Sequence, residues 1–144
     1  MPFEFLDHTA DIGVRITAGS PTELMAETVR AFYAILMEEE SIPRVEAREE
    51  RTLDRSAPDG ESILVDLLGE LIYRFDAEKL LLPIIMVEEV RLDPGASRLR
   101  ARLRGERFDP ARHVLRTEVK AATYHDLEIR QSGGGLSVDV IFDL

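Results

Sequence analysis

Apolar and polar positions recur with two different periods along this chain, and each change of period marks an element. Phe3 to Leu6 reads as an extended segment, and Val14 and Ile16 alternate with polar neighbours over Ile12 to Thr17, as in a half-buried strand. Asp7-His8-Thr9-Ala10-Asp11 is the polar connection between them, with Gly13 just behind it. Ser20-Pro21-Thr22-Glu23 has the form of a capping box with proline at the first helical position. Leu24, Thr28, Ala31, Phe32, Ile35 and Leu36 then follow at helical spacing and form one apolar stripe. Glu38 to Glu50 is a solvated connection with six acids against Arg44 and Arg48, and leads into a strand near Arg51 to Ser56.

Pro58-Asp59-Gly60 punctuates the chain, with Asp59 placed to cap a second helix. Leu64, Leu67, Leu68, Leu71, Ile72 and Phe75 mark that helix, which ends near Asp76. Everything from Ile84 onward reads as strand. Ile84 to Leu92 and Arg98 to Arg104 flank the turn Asp93-Pro94-Gly95-Ala96, and Val119 to Arg130 and Leu136 to Phe142 flank Gly133-Gly134-Gly135. This pattern predicts an α+β fold, two helices packed on one face of a largely antiparallel sheet in a two-layer sandwich. The helices bury Leu24, Phe32, Ile35, Leu64, Leu68, Leu71 and Phe75.

Composition adds limits to this picture. A chain of 144 residues with no linker or repeat reads as a single domain, 1–144. It has no cysteine, which excludes disulfides and thiolate metal sites. No run approaches the roughly 18 apolar residues of a membrane span, and no early run resembles a signal peptide, so a soluble, cytoplasmic protein without a membrane partner is expected. The net charge of −10 argues against stable nucleic-acid binding, because a phosphate backbone would meet an average surface of its own sign. Arg98, Arg100, Arg102 and Arg104 are the exception. On one strand face they form a ladder that could grip phosphate or an acidic protein, or simply be a solvated face.

Candidate chemistry is sparse. His8, His113 and His125 all lie in polar contexts and, with Asp7 and Asp11, could make a transition-metal site, but no His-x-x-x-His spacing pre-arranges a pair. The triple glycine precedes a strand and lacks a following Lys-Ser/Thr, so it is a hairpin turn and not a phosphate loop. Lys120-Ala121-Ala122-Thr123-Tyr124-His125 concentrates a lysine, a hydroxyl, a phenol and an imidazole, with no serine or cysteine nucleophile beside them. Asp139, Ile141 and Asp143 share one face of the last strand, and the sequence stops at Leu144. If Asp11 approached them, Asp143 and the Leu144 carboxylate would repel it unless a cation joined the three, and all-oxygen ligands favour Ca²⁺ or Mg²⁺. By spacing alone that end reads as a frayed, solvated terminus.

His8-Thr9-Ala10-Asp11-Ile12-Gly13 resembles the opening signature of the archease family. The order of the remaining motifs is also similar: the two helices, Gly105-Glu106 with Asp109 and His113, Lys120 to His125, and terminal Ile141-Phe142-Asp143-Leu144. The likeness covers essentially the whole chain; the tryptophan often carried by the family's second helix is absent, and Leu67 and Leu68 fill that region. The resemblance implies an accessory factor, not an enzyme in its own right, for the GTP-dependent tRNA-splicing RNA ligase, promoting guanylylation and multiple turnover. It further implies a metal site of Asp11, Asp143 and Leu144 holding a divalent cation, with Ca²⁺ foremost and Mg²⁺ or Mn²⁺ as alternatives. His8, Lys120, Thr123, Tyr124 and His125 would support ligase activation or the site. The competing reading is a small metal-dependent hydrolase using His8, His113 and His125.

Overall fold

The computed structural model describes residues 2–6 and 11–144 (the Ser132 side chain excepted), so Asp7, His8, Thr9 and Ala10 of the first connection lie outside the described residues. Strands β1 (Phe3–Leu6) and β2 (Ile12–Ala18) precede helix α1 (Pro21–Leu36), a short 3-10 helix (Glu39–Arg44), β3 (Glu49–Ala57) and helix α2 (Gly60–Glu78). Then come β4 (Leu80–Asp93), β5 (Ala96–Arg107), β6 (Ala121–Thr123), β7 (Arg130–Ser132) and β8 (Gly135–Asp143).

The expected caps form. The Ser20 side chain accepts from the Glu23 amide at 3.1 Å, and Asp59 accepts from the Ser62 amide at 2.7 Å. Each satisfies one of the amide groups that a helix start leaves unpaired. Lys79 ends α2 in the left-handed conformation with its amide bonded to Phe75 O.

The α+β class holds, with strands divided between two antiparallel sheets. One has the order β1-β2-β8-β6, with β7 also on β8; the other has the order β3-β5-β4. Alternation along the chain reports which strands are half-buried but not which strands share a sheet, so this division was not legible beforehand. Both helices pack against both sheets: α1 against β2 and β4, and α2 against β6 and all of β3, β4 and β5. The helix stripes, Val14, Ile16, Val138, Val140 and Phe142 of one sheet, and Leu53, Leu99, Ala101 and Leu103 of the other join one apolar cluster. Burial of each such side chain is worth about 1.5–3 kcal/mol. Phe75 is only half-buried; it packs edge-on against Phe108 at 6.3 Å.

The expected strand Val119 to Arg130 is broken into β6 and β7. Thr123 pairs with Ile141 but Arg130 pairs with Ser137, so the six residues between β6 and β7 span only three residues of β8 and must loop outward. Asp126, with φ of 54°, makes the turn of that excursion.

A bulge in β4 fixes how the second sheet meets α1. Leu81 pairs with Glu106 and Ile84 with Arg104, leaving Leu82 and Pro83 opposite the single Gly105. Pro83 has no amide to pair, and the freed Leu82 amide donates to the buried Tyr33 hydroxyl at 2.7 Å. Burial pushes the Tyr33 phenol up, although the Leu82 amide partly counters it. A Cβ at Gly105 would lie 1.7 Å from the Leu81 carbonyl oxygen, so only glycine fits there. Tyr33→Phe should therefore lower stability by about 1–3 kcal/mol, the cost of a buried donor left unpaired. Gly105→Ala should prevent cooperative folding. Thermal melts of both variants check this.

Candidate functional site

The sheet ends, not a cavity, assemble the candidate site. In the β2–β8 ladder Ile12 lies opposite Phe142, Val14 opposite Val140 and Ile16 opposite Val138, all facing the core. Arg15 and Asp139 lie opposite one another on the other face, joined by two hydrogen bonds of 2.8 and 3.1 Å. The ladder ends at the Ile12–Phe142 pair, and Asp11 and Asp143 are the next residue of each chain segment beyond it. On the far side of β8, Asp143 pairs with Ala121, and the Lys120 amide donates to Asp143 O at 2.9 Å. Asp143 and Ala121 thus stand roughly 5 Å apart across two strands, with Asp11 just beyond the last β2–β8 pair.

The two nearby arginines go elsewhere. Arg15 holds Asp139 at 2.8 Å and Arg130 approaches it at 3.4 Å, which leaves Asp11 and Asp143 without an ion pair among the described residues. Hydrogen bonding from Arg15 keeps the Asp139 carboxyl below the usual carboxylate range. Among the described residues no three His, Asp or Glu side chains group as metal ligands, so the two carboxylates fit a hard cation only with main-chain oxygens to complete the set. Asp143 is exposed, Asp11 and Leu144 are half-buried, and Leu144 packs against the core.

The other candidate residues separate. Lys120 is exposed and lines a groove with Asp76 and Tyr73 of α2. Thr123 is half-buried one row behind the carboxylates, opposite Ile141. Tyr124 (57% exposed) and His125 sit on the excursion after β6, where the His125 ring faces Asp126 at 3.2 Å. His8 lies outside the described residues.

His113 is not part of the site. It is 2% exposed, with Nε2 3.2 Å from a Glu106 oxygen and Nδ1 accepting from the Asp109 amide at 2.9 Å. Both ring nitrogens are engaged, which removes the ligand that the hydrolase reading requires. Glu106, which alternation places on the arginine-bearing face, is covered by Arg112, His113 and the Glu46 amide. Burial alone would raise its carboxyl, but those donors outweigh it and hold it at about 2, against an ordinary 4.5. This burial of an acid was missed from sequence; the only signal was Arg112 and His113 six and seven residues after it.

Past this cluster the chain crosses the end of α1, with the Arg116 amide on Leu36 O at 2.8 Å and the Glu38 amide on Val114 O at 2.9 Å. Buried Val119 then anchors the segment just before Lys120. The Glu106 cluster therefore lies at the start of the strap that brings the Lys120 amide to Asp143 O.

The arginine ladder is neutralised. Arg98 meets Asp54 at 2.9 Å and Glu89 at 3.0 Å, Arg104 meets Glu50 at 2.7 Å, and Arg102 and Arg100 meet Glu88 at 3.2 and 3.8 Å. Each guanidinium has a carboxylate, so this face presents no excess of positive charge for a phosphate backbone.

The Archease protein family model matches residues 3–144 of the chain. Protein archease of Methanosarcina mazei is 33% identical over 142 residues, 99% of this chain and 95% of the relative. That of Methanopyrus kandleri is 32% identical over 144 residues, the whole of both chains. The solution structure of protein 1598 of Methanobacterium thermoautotrophicum superposes with a TM-score of 0.78 at 30% identity, covering 99% of each chain. A Thermotoga maritima archease described as a possible chaperone shares the fold, with a TM-score of 0.57 at 21% identity over 96% of this chain and 94% of that one.

A carboxylate with a depressed folded-state value contributes stability that is present above its unfolded value and lost as pH falls toward the folded one. Glu106→Gln should accordingly melt below wild type near neutral pH, and the gap should close as pH falls from about 4.5 toward about 2. Melts at several pH values check this; a gap independent of pH would refute it.

Proposed function

The chain belongs to the archease family, and on that premise we propose that it is an accessory factor of the GTP-dependent tRNA-splicing RNA ligase, promoting guanylylation and repeated turnover. It acts on a protein and does not catalyse a reaction alone. The acting part is the acidic sheet end, where Asp11, Asp143 and main-chain oxygen of Leu144 take a divalent cation, with Ca²⁺ the first candidate and Mg²⁺ or Mn²⁺ next. The observation that supports this reading is the pairing of β2 with β8 up to Ile12–Phe142, which leaves Asp11 and Asp143 at the same sheet end, without ion partners among the described residues.

The residues have separate tasks in this reading. Asp11 and Asp143 supply hard oxygens, and a bound cation relieves their mutual repulsion. Lys120 sets a positive charge next to this sheet end and meets an anionic group of the ligase site. Tyr124 and His125, exposed on the excursion, engage the ligase surface, and Thr123 supports the sheet end from behind; His8, in the connection before Asp11, completes the support. A ligase groove that binds an RNA backbone is positively charged, so an acidic projection is complementary to it and RNA would compete for the same surface. Contact is then transient, as suits a factor that resets an enzyme. The family assignment fits a cytoplasmic, single-domain protein, and among the described residues no helix is long and apolar enough to cross a membrane.

Titration with Ca²⁺ or Mg²⁺ should raise the melting temperature of the wild type. Asp11→Ala should abolish the rise; equal responses would put the cation elsewhere. A short Gly-Ser extension after Leu144 should remove ligase stimulation, while the same extension before Met1 should not. Equal stimulation by both, in a ligation assay with limiting ligase, would rule out insertion of the sheet end.

A further inference from the structure

β6 pairs with β8 on one side only, so the backbone groups along its other edge have no strand partner among the described residues. Helix α2 runs beside this edge in the opposite direction. Lys120, just before β6, shares a groove with Asp76 near the helix end, whereas Ile129, beyond β6, touches Gly60 and donates its amide to Glu61 at the helix start. The groove, of about 360 Å³, has Gly69, Ala121 and Ala122 as small members and Val65, Ile72 and Tyr73 as apolar walls, with Tyr73 56% exposed.

Two features separate this edge from an ordinary exposed one. The outer strands of the other sheet are guarded against pairing: β4 by Pro83, two register shifts and Glu88-Glu89, and β3 by Glu49, Glu50, Arg51, Asp54 and Arg55. β6 is Ala-Ala-Thr, without charge or proline. The second feature is Gly69, exposed in the middle of α2, where alanine would favour the helix by about 1 kcal/mol. A Cβ there meets nothing within 4 Å among the described residues, so no contact with them calls for glycine.

We propose that an extended segment of the partner protein adds as a strand to the free edge of β6, crossing close over Gly69. Its alternate side chains on one face are apolar and pack against Val65, Ile72 and Tyr73. At the Lys120 end it carries a carboxylate, because Lys120 is an exposed cation with no ion pair among the described residues of a chain with 28 acids to 18 bases. Asp76 on the helix wall steers that carboxylate to the strand side. The inference rests on the reading of this chain as an accessory factor and adds a second contact, beside the acidic sheet end, that fixes the orientation of the partner.

The test is amide hydrogen exchange and affinity with the GTP-dependent RNA ligase. The amides of Ala121 to Thr123 should exchange at least tenfold more slowly in the complex. Gly69→Gln, which fills the groove and strengthens the helix, should melt no lower than wild type and bind the ligase at least tenfold more weakly. Unchanged exchange in the complex, or equal affinity of Gly69→Gln, overturns the groove and leaves the accessory role standing. Failure of the wild type to bind the ligase overturns both. Self-association of the chain that Gly69→Gln abolishes overturns the proposal in favour of a second copy as the occupant.

Discussion

The approach of Gly105 to the Leu81 carbonyl is the constraint on which the rest of the fold is hung. With no side chain at Gly105, two residues of β4 can stand against one of β5, and Leu80, Leu81 and Leu82 can all be buried in succession. Strict alternation would have exposed one of the three. The bulge frees an amide, and the freed amide requires an acceptor in a place without water. Tyr33 of α1 supplies it, so a defect in one sheet becomes the bond that sets a helix against it. Arg48 takes the Gly105 carbonyl from the other side, which draws the segment before β3 over Glu106.

From that point the chain carries position toward the sheet end. Glu106 gathers Arg112, His113 and the Glu46 amide, the Asp109 turn is closed by the His113 ring, and the strap from Val114 is pinned to the end of α1 before reaching Lys120. Buried charge of this kind adds little net stability but is costly to disrupt. Its use here is geometric, since a strap with few apolar residues would otherwise have little to fix its path.

The helices and hairpins were legible because their signals are local. The caps at Ser20 and Asp59, the stripes behind them and the turns at Asp93–Ala96 and Gly133–Gly135 involve residues within a few positions of each other. What was illegible involves distant partners. Whether β8 joins β2 or β5 depends on packing that no window of sequence contains, and the break between β6 and β7 depends on a mismatch in length with β8. In the candidate site, periodicity showed that Asp139 and Asp143 share a face, but only the pairing of β2 with β8 brought Asp11 to the same sheet end as Asp143. His113 could be counted as a candidate ligand because nothing local in the sequence shows that the Glu106 carboxylate and the Asp109 amide take its two ring nitrogens.

The charged lattice on the β3-β5-β4 sheet has a consequence for heat. Its arginines and carboxylates interlock across strands, each acid often shared between two guanidinium groups, as Glu88 is by Arg100 and Arg102 and Glu50 by Arg102 and Arg104. The penalty for stripping water from charges falls as temperature rises, whereas the gain from apolar burial levels off. A face held by such a network loses less of its cohesion on warming than the leucine-rich interior beneath it. The same chain would therefore begin to melt at the other sheet, where β6 and β7 are only three residues long each, before the arginine face lets go.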